Sequence, residues 1–441
     1  MSKKDQFIKE FKPLIDNFLQ IIWDNKRHQK ENVKSFTVSG FQYDIIITID
    51  QLTSFNDLVT KLTYYQDFEG NFSEKYVEKE FLNLLHKLRN DYSQADESIE
   101  KFYTNFIDNS NNEWRVIAQL ENVIFVERAV FKLIDCTLKH MKLDDLIDCT
   151  LKLMKPDELS ISGSSLQQEV LGHRYSNWVL SHCIYTDVKA GDLSKAEELA
   201  IDNFNLSINL LKLYFPNLKI SIKNPVSLSD KQETIIYELI STNITKKCAN
   251  VSGKKDINQQ QKLNPKVYEY LVKNGIDSLS NNNRINCEFK ISDVVKDCLY
   301  WYGLALDTNL LSAKLLNYVT VLESALKFNG RSELTQRIAD RCALFLETDY
   351  KKRKDICTNV KEIYKLRSAV VHSGSIIGKK FNKKFEQLKL IELAGIYARS
   401  VLIKLIREND QRNGDFKKFI QDLDNIKYKE KFYVLTVRDS V

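Results

Sequence analysis

Apolar residues recur along most of this chain at the three-and-four spacing of helices buried on one side. Phe7, Phe11, Leu14, Phe18 and Ile22 make the first such stripe, which Pro13 is expected to kink or interrupt. Ser35 to Asp50 alternates instead and is rich in Val, Ile, Tyr and Thr around a turn-prone Ser39-Gly40, so a small β hairpin is expected there. Beyond it the pattern reads as helix to about residue 155, broken by the polar run Asp108 to Asn112. Within that stretch LIDCTLKHMK at 133–142 returns as LIDCTLKLMK at 146–155. Two short copies are too few for a solenoid and suggest a local duplication within or between helices.

Pro156 and the Ser/Gly cluster from Ser160 to Ser165 mark a boundary, with further helices expected from Gln167 onward. Thr245 to Asn264 is polar and nearly free of large apolar residues, as in a linker or exposed loop. The last block is the most regular. Leu315, Val319, Leu322 and Leu326 predict one helix that stops at Asn329-Gly330, and Ile338, Cys342, Phe345 and Leu346 a second. Ile356, Val360, Ile363 and Val370 predict a third, and Leu388, Ile391, Gly395, Ala398, Leu402 and Leu405 a fourth. Four helices with short connections suffice for a bundle. The expected layout is a mostly helical region over 1–160 with a β hairpin, a helical middle region over 161–290 with its polar linker near 245–264, a bundle over 295–410, and a basic tail over 411–441 with a strand at Phe432 to Val437. The fold class is mainly α. Only five prolines and thirteen glycines in 441 residues favour that over a turn-rich all-β protein.

Composition narrows the function classes. Hydrophobic residues at 43% and charged residues at 28% suit a soluble globular protein. Apolar runs such as Cys342 to Leu346 are far too short for a bilayer, and MSKKDQFIKEF lacks the apolar core of a signal peptide, so a cytoplasmic protein without membrane contact is expected. Eight cysteines, none in a CxxC pair, read as buried thiols. Cys136 and His140, with Asp148 and Cys149 nearby, lack the paired spacing of a closed zinc site, and neither metal nor cofactor is expected. Asp144-Asp145 and Glu197-Glu198 read as solvated surface, and His173-Arg174 with Asn177 and Trp178 reads as a structural cluster before an RNA-contacting one. The chain has neither a Gly-rich phosphate loop nor a Gly-x-Ser-x-Gly elbow, which argues against an NTPase or an α/β hydrolase.

The formal charge of +6 is unevenly spread. Residues 351–441 hold 22 Lys and Arg against 11 Asp and Glu, a net +11 that leaves −5 on residues 1–350. Such a field attracts a polyanion, and a solvated lysine-rich face also accounts for it. The most chemically suggestive residue lies in that basic part. Arg367 stands in the third helix where the apolar stripe calls for leucine, and His372 follows after four residues. A guanidinium on an inward face needs a carboxylate, a bound anion or a solvent-filled groove.

Leu322-Glu323 in the first helix of this block, Arg337 with Arg341 in the second, and Tyr364, Arg367-Ser368 and Val371-His372 in the third resemble an HEPN domain of the Apea-like branch, over about a quarter of the chain. Many HEPN ribonucleases carry Asn, Asp or His after the arginine; Ser368 resembles the Apea-like pattern. The resemblance implies a metal-independent endoribonuclease acting on RNA as a homodimer with a composite site, in defence or a toxin role, with the N-terminal region recognising a phage or cellular trigger or the substrate. Arg367 would hold the scissile phosphate and His372 would transfer protons, its place near the end of a helix favouring imidazolium. Arg367 and His372 are about 140° apart on an ideal helix, so either the helix ends or distorts before His372 or a second copy contributes. Tyr364 and Ser368 could orient the phosphate or the histidine, or simply pack. Arg337 and Arg341 could line an RNA groove or form bundle salt bridges. The structural alternative pairs Arg367 with Glu323 and makes His372 a cap; the functional alternative is a non-catalytic helical module for dimerisation or partner binding.

Overall fold

The first apolar stripe forms one continuous helix, α1 (Lys3–Asp24), with Pro13 inside it. The expected interruption does not occur. Pro13 lies on the exposed side, where a lost backbone bond is exchanged for water, while Phe7, Phe11, Ile15, Phe18 and Leu19 are buried on the other. The computed structural model describes residues 2–24, 35–39, 44–110, 112–126, 129–140, 182–222, 234–238, 261–280, 289–327, 334–373, 377, 381–411 and 414–426. The expected strand at Phe432 to Val437, the second copy of the repeat and the His173–Trp178 cluster lie outside them.

The hairpin forms as expected, β1 (Ser35–Ser39) antiparallel to β2 (Asp44–Thr48) with Val38 opposite Ile45. Helices α2 (Ile49–Thr63), α3 (Glu74–Asn90) and α4 (Ala95–Asn109) pack with α1 around an aromatic core. Phe68 stacks on Phe106 at 4.7 Å, and Phe7 on Phe11 at 4.7 Å. Each such pair adds about 0.5–1.5 kcal/mol beyond the area it buries.

From residue 113 the helical expectation fails. The chain forms β3 (Glu113–Glu121), β4 (Val123–Phe125), β5 (Val130–Leu133), β6 (Cys136–His140) and β7 (His182–Lys189). Trp114, Val116, Ala118 and Leu120 are buried at period two, the mark of a strand. The first copy of the repeat is thus no helix. Its residues 133–140 form the turn and second strand of the β5–β6 hairpin, with Leu133 opposite Cys136 and the turn at Ile134-Asp135. The antiparallel sheet runs β5-β6-β7-β3, and β3 is bordered further by β8 (Ser221–Ile222) and β9 (Thr234–Glu238). A short parallel pair joins β4 to β10 (Gln261–Leu263), a strand at the end of the segment expected as linker.

Helix α5 (Leu193–Tyr214) is the spine of the molecule. One side packs on the sheet, where Ser207 Oγ donates to the Leu133 carbonyl at 3.1 Å. The other meets α8, where Asn209 Nδ2 donates to the Leu299 carbonyl at 3.2 Å. After α6 (Pro265–Lys273) and the single turn α7 (Asp277–Ser280), the bundle is built from α8 (Ile291–Asp307), α9 (Leu311–Leu326), α10 (Leu334–Leu346), α11 (Tyr350–Ser373) and α12 (Phe381–Gln411). The four expected helices are α9 to α12; α8 adds a fifth that packs on both α9 and α12. Residues 416–426, expected as tail, form helix α13, which buries Phe416, Phe419, Ile420 and Leu423 against the same core.

The approach of α8 to α5 depends on Gly303. A Cβ built there falls 2.0 Å from Asn209 Nδ2, a buried side chain held by its own hydrogen bond. Gly303→Ala is therefore expected to destabilise the protein by about 1–3 kcal/mol through overpacking, read by denaturant or thermal unfolding. An unchanged midpoint would show that the two helices are not so close.

Candidate functional site

Helix α11 carries the predicted pair, and its register is set by what it buries. Val360, Ile363 and Tyr364 are buried and Ile356, Leu366 and Val370 pack against the core, so Arg367 falls on the inward side, as its place in the apolar stripe requires. It is half-buried. It makes no hydrogen bond or ion pair with the described residues, so the expected alternative of a salt bridge to Glu323 is not what forms.

Tyr364, one turn before Arg367, is 7% exposed, and its buried hydroxyl faces the Glu323 carboxylate as its nearest acceptor, without a hydrogen bond of good geometry among the described residues. Burial, and after it the charge of the half-buried Glu323 carboxylate on α9, drives the phenol far above its ordinary pKa, while the Arg367 guanidinium pulls the other way. Glu323, Tyr364 and Arg367 therefore act on one small region between α9 and α11. An orphaned buried hydroxyl costs about 1–3 kcal/mol. Glu323 is the acceptor within the protein closest to satisfying the neutral phenol.

His372 is exposed in the last turn of α11. The helix runs unbroken to Ser373, so it neither ends nor distorts before His372. Within one chain the guanidinium and the imidazole leave the helix in directions about 140° apart. Ser368, one turn before His372, is likewise exposed, on the outer side. The structure thus gathers Glu323, Tyr364 and Arg367 on the inner side and Ser368 with His372 on the outer.

The two arginines of α10 part company. Arg337 is half-buried and engaged within the protein. Arg341 is 5% exposed and fully committed: Nε and Nη2 donate to the two Asp424 carboxylate oxygens at 2.9 and 2.8 Å, and Nη1 donates to the Leu326 carbonyl at 2.7 Å. Of the two roles weighed for Arg341, the salt bridge is the one that forms, and the groove-lining role is ruled out by its burial: Arg341 is an inner strut between α10, α9 and α13. Its partner was overlooked because Asp424 lies in the segment read as tail, although Phe416, Phe419, Ile420 and Leu423 repeat at helical spacing.

Among the described residues no three His, Cys, Asp or Glu side chains gather in a way that could hold a metal ion. Cys136 is buried in β6, and its thiol is pushed up to about 12 by burial. Among the described residues Cys136, Cys183, Cys298 and Cys342 are buried cysteines outside any disulfide, and Cys357 is half-buried. No helix of the described residues is long and apolar enough to cross a membrane. No family model, curated protein or solved structure matches the chain.

Two variants check this geometry. Tyr364→Phe removes a hydroxyl with no well-formed hydrogen bond and is expected to leave stability unchanged or raise it by up to about 1 kcal/mol; a loss of that size would show that Glu323 satisfies it. Asp424→Ala strands a buried guanidinium. Because the carboxylate is itself 40% exposed, the loss is expected near about 2 kcal/mol, between the values for exposed and buried pairs, as a lowered unfolding midpoint.

Proposed function

We propose that this chain is a metal-independent endoribonuclease of the HEPN type, with Arg367 and His372 as its catalytic residues. The observation that supports the reading is a guanidinium on the inward side of a bundle helix that makes no hydrogen bond or ion pair with the described residues and acts on the same small region as the Tyr364 hydroxyl and the Glu323 carboxylate. A half-buried charge of this kind can hold an anion in place of water, and an RNA phosphate is the anion that the resemblance supplies. In the reaction the ribose 2′-oxygen loses its proton and attacks phosphorus, the bond from phosphorus to the 5′-oxygen breaks, and the leaving oxygen takes up a proton. Arg367 stabilises the charge on the phosphoryl oxygens and His372 transfers protons. Tyr364, Glu323 and Ser368 orient these two groups, and Arg337 flanks them.

Since one helix sends the two side chains to different sides, the site is a composite of two protomers, in which His372 of one chain meets the phosphate held by Arg367 of the other. The protein acts in the cytoplasm, in anti-phage defence or as a toxin, with the N-terminal region recognising a phage or cellular trigger. The same divergence of Arg367 and His372 favours a second reading, a non-catalytic helical module used for dimerisation or partner binding.

Expression of the unsubstituted chain beside His372→Ala and Arg367→Ala separates the two. The nuclease reading predicts degraded cellular RNA and arrested growth with the first and at least a hundredfold slower cleavage with either variant, the usual scale for losing an acid–base or charge-stabilising group. Equal RNA integrity in all three would sink it.

A further inference from the structure

The outer side of α11 carries a pattern that the Arg367 and His372 reading does not use. Tyr350, Lys354, Lys361, Lys365, Ser368 and His372 lie at steps of four, seven, four, three and four residues. At about 100° per residue all six fall within about 40° of one line along the helix, and Arg367 lies about 140° from it. Lys354, Lys365, Ser368 and His372 are exposed, Lys361 is half-buried, and Tyr350 is 75% exposed. From Tyr350 to His372 the line is about 33 Å long.

Two features separate this line from an ordinary solvated face. The first turn of α11 holds Lys351, Lys352, Arg353 and Lys354 and no acid, although the N-terminus of a helix repels cations. Asp349 caps this helix start by accepting from the Lys352 amide at 2.9 Å and Glu347 lies 3.7 Å from Lys352 Nζ, which leaves Lys351 and Lys354 exposed without a carboxylate partner among the described residues. A bare aromatic ring also stands at the same end of the line, where it can stack on a base. The line itself contains no carboxylate. Asp355 and Glu362 flank it at about 80–100°. Glu362 accepts a hydrogen bond from Lys365 Nζ at 2.6 Å, but both side chains are largely exposed, 73% and 46%, so a phosphate can displace it.

We infer that the outer face of α11 is a track for the backbone of single-stranded RNA, with Tyr350 stacking a base at one end and His372 at the other. The inference rests on the ribonuclease reading for its choice of ligand. The flanking carboxylates support that choice, because they narrow the positive line to the width of one strand and would repel a flat anionic membrane.

The test uses the full chain with His372→Ala as a non-cleaving background, a labelled 12-nucleotide pyrimidine RNA, and fluorescence anisotropy over a range of salt. Adding Lys354→Glu, Lys361→Glu and Lys365→Glu is expected to weaken binding at least tenfold. The milder Lys→Gln set at the same positions should lower the slope of log affinity against log salt by about 2, as three lost phosphate contacts require for single strands. Tyr350→Ala should weaken binding several-fold with the salt slope unchanged. Unfolding midpoints equal to the parent's exclude a folding defect, and the Gln set keeps the charge test valid if the reversals do not fold. Equal affinity and slope in parent and Gln set overturns the track, as does lysine-dependent binding to vesicles containing phosphatidylserine in preference to RNA. The two proposals fail separately: lysine-dependent binding by a chain whose unsubstituted form leaves RNA intact keeps the track and removes the nuclease, and cleavage that is indifferent to the lysines does the reverse.

Discussion

A single buried carboxylate holds the two halves of this molecule together. Asp192 is 6% exposed and accepts four hydrogen bonds: from the Ser73 amide at 2.7 Å, Ser73 Oγ at 2.9 Å, the Ser194 amide at 2.9 Å and the Lys195 amide at 3.1 Å. Two of these cap the N-terminus of α5. The others hold Ser73, which itself caps α3 by accepting from the Tyr76 amide. Donors at the positive ends of helices take the place of a counter-ion, so a charge that would be costly when buried alone is met by groups that need an acceptor. Beside it, Gly191 lies against the Phe72 ring and its amide donates to the Asn71 carbonyl at 2.6 Å. Since α5 touches both the sheet and α8, whatever fixes its start also fixes the position of the bundle relative to the aromatic helices.

Basic residues in the C-terminal part fall into two populations, which net charge alone does not separate. One is structural. Arg399 donates to the carbonyls of Leu213 and Tyr214 at the end of α5, Lys404 to the Phe345 carbonyl at the end of α10, and Arg341 to Asp424 and the Leu326 carbonyl at the end of α9. Cations at the negative ends of helices are stabilising, and these three fasten neighbouring helices to one another as well. The other population stands on the outer side of α11, in its first turn and along the line to His372, where no helix end asks for it. The excess of positive charge read from the sequence thus overstates what a ligand can meet, and it locates the remainder.

How much was legible follows from the kind of signal each segment carries. The bundle helices α9 to α12 and the β1–β2 hairpin could be read because one-sided burial imposes a period of 3.6 or 2 on their apolar residues. The strands from β3 to β7 were missed for two reasons. Trp114, Val116, Ala118 and Leu120 do alternate, but the run sits among helical patterns, and the β5–β6 hairpin turns at Ile134-Asp135 without a Gly or Asn to announce it. Ile134 adopts φ 51°, a left-handed conformation that a β-branched residue resists, so only the surrounding sheet holds it there. In the site, the inward position of Arg367 was legible as a gap in a stripe. The partnership of Arg341 was not, because an arginine seen in sequence says nothing of which carboxylate a distant helix will bring.

The straightness of α11 has a consequence for any chemistry at this site. A helix that ended after Arg367 could have turned His372 back towards the same phosphate. Instead it is regular through Ser373, so the angular separation is fixed by helix geometry and no rotamer change spans it: a guanidinium reaching inward and an imidazole reaching outward are parted by the body of the helix itself. Within a protomer the two can cooperate only through something that passes around the helix end. In the proposed dimer, a two-fold axis near the C-terminal end of α11 would let each outward imidazole approach the other's inward guanidinium. Val371, 48% exposed between the two sides, then has somewhere to be buried. In the proposed dimer a symmetric pairing at that end would cover the exposed valine and set each imidazole beside the phosphate that the other chain's guanidinium holds.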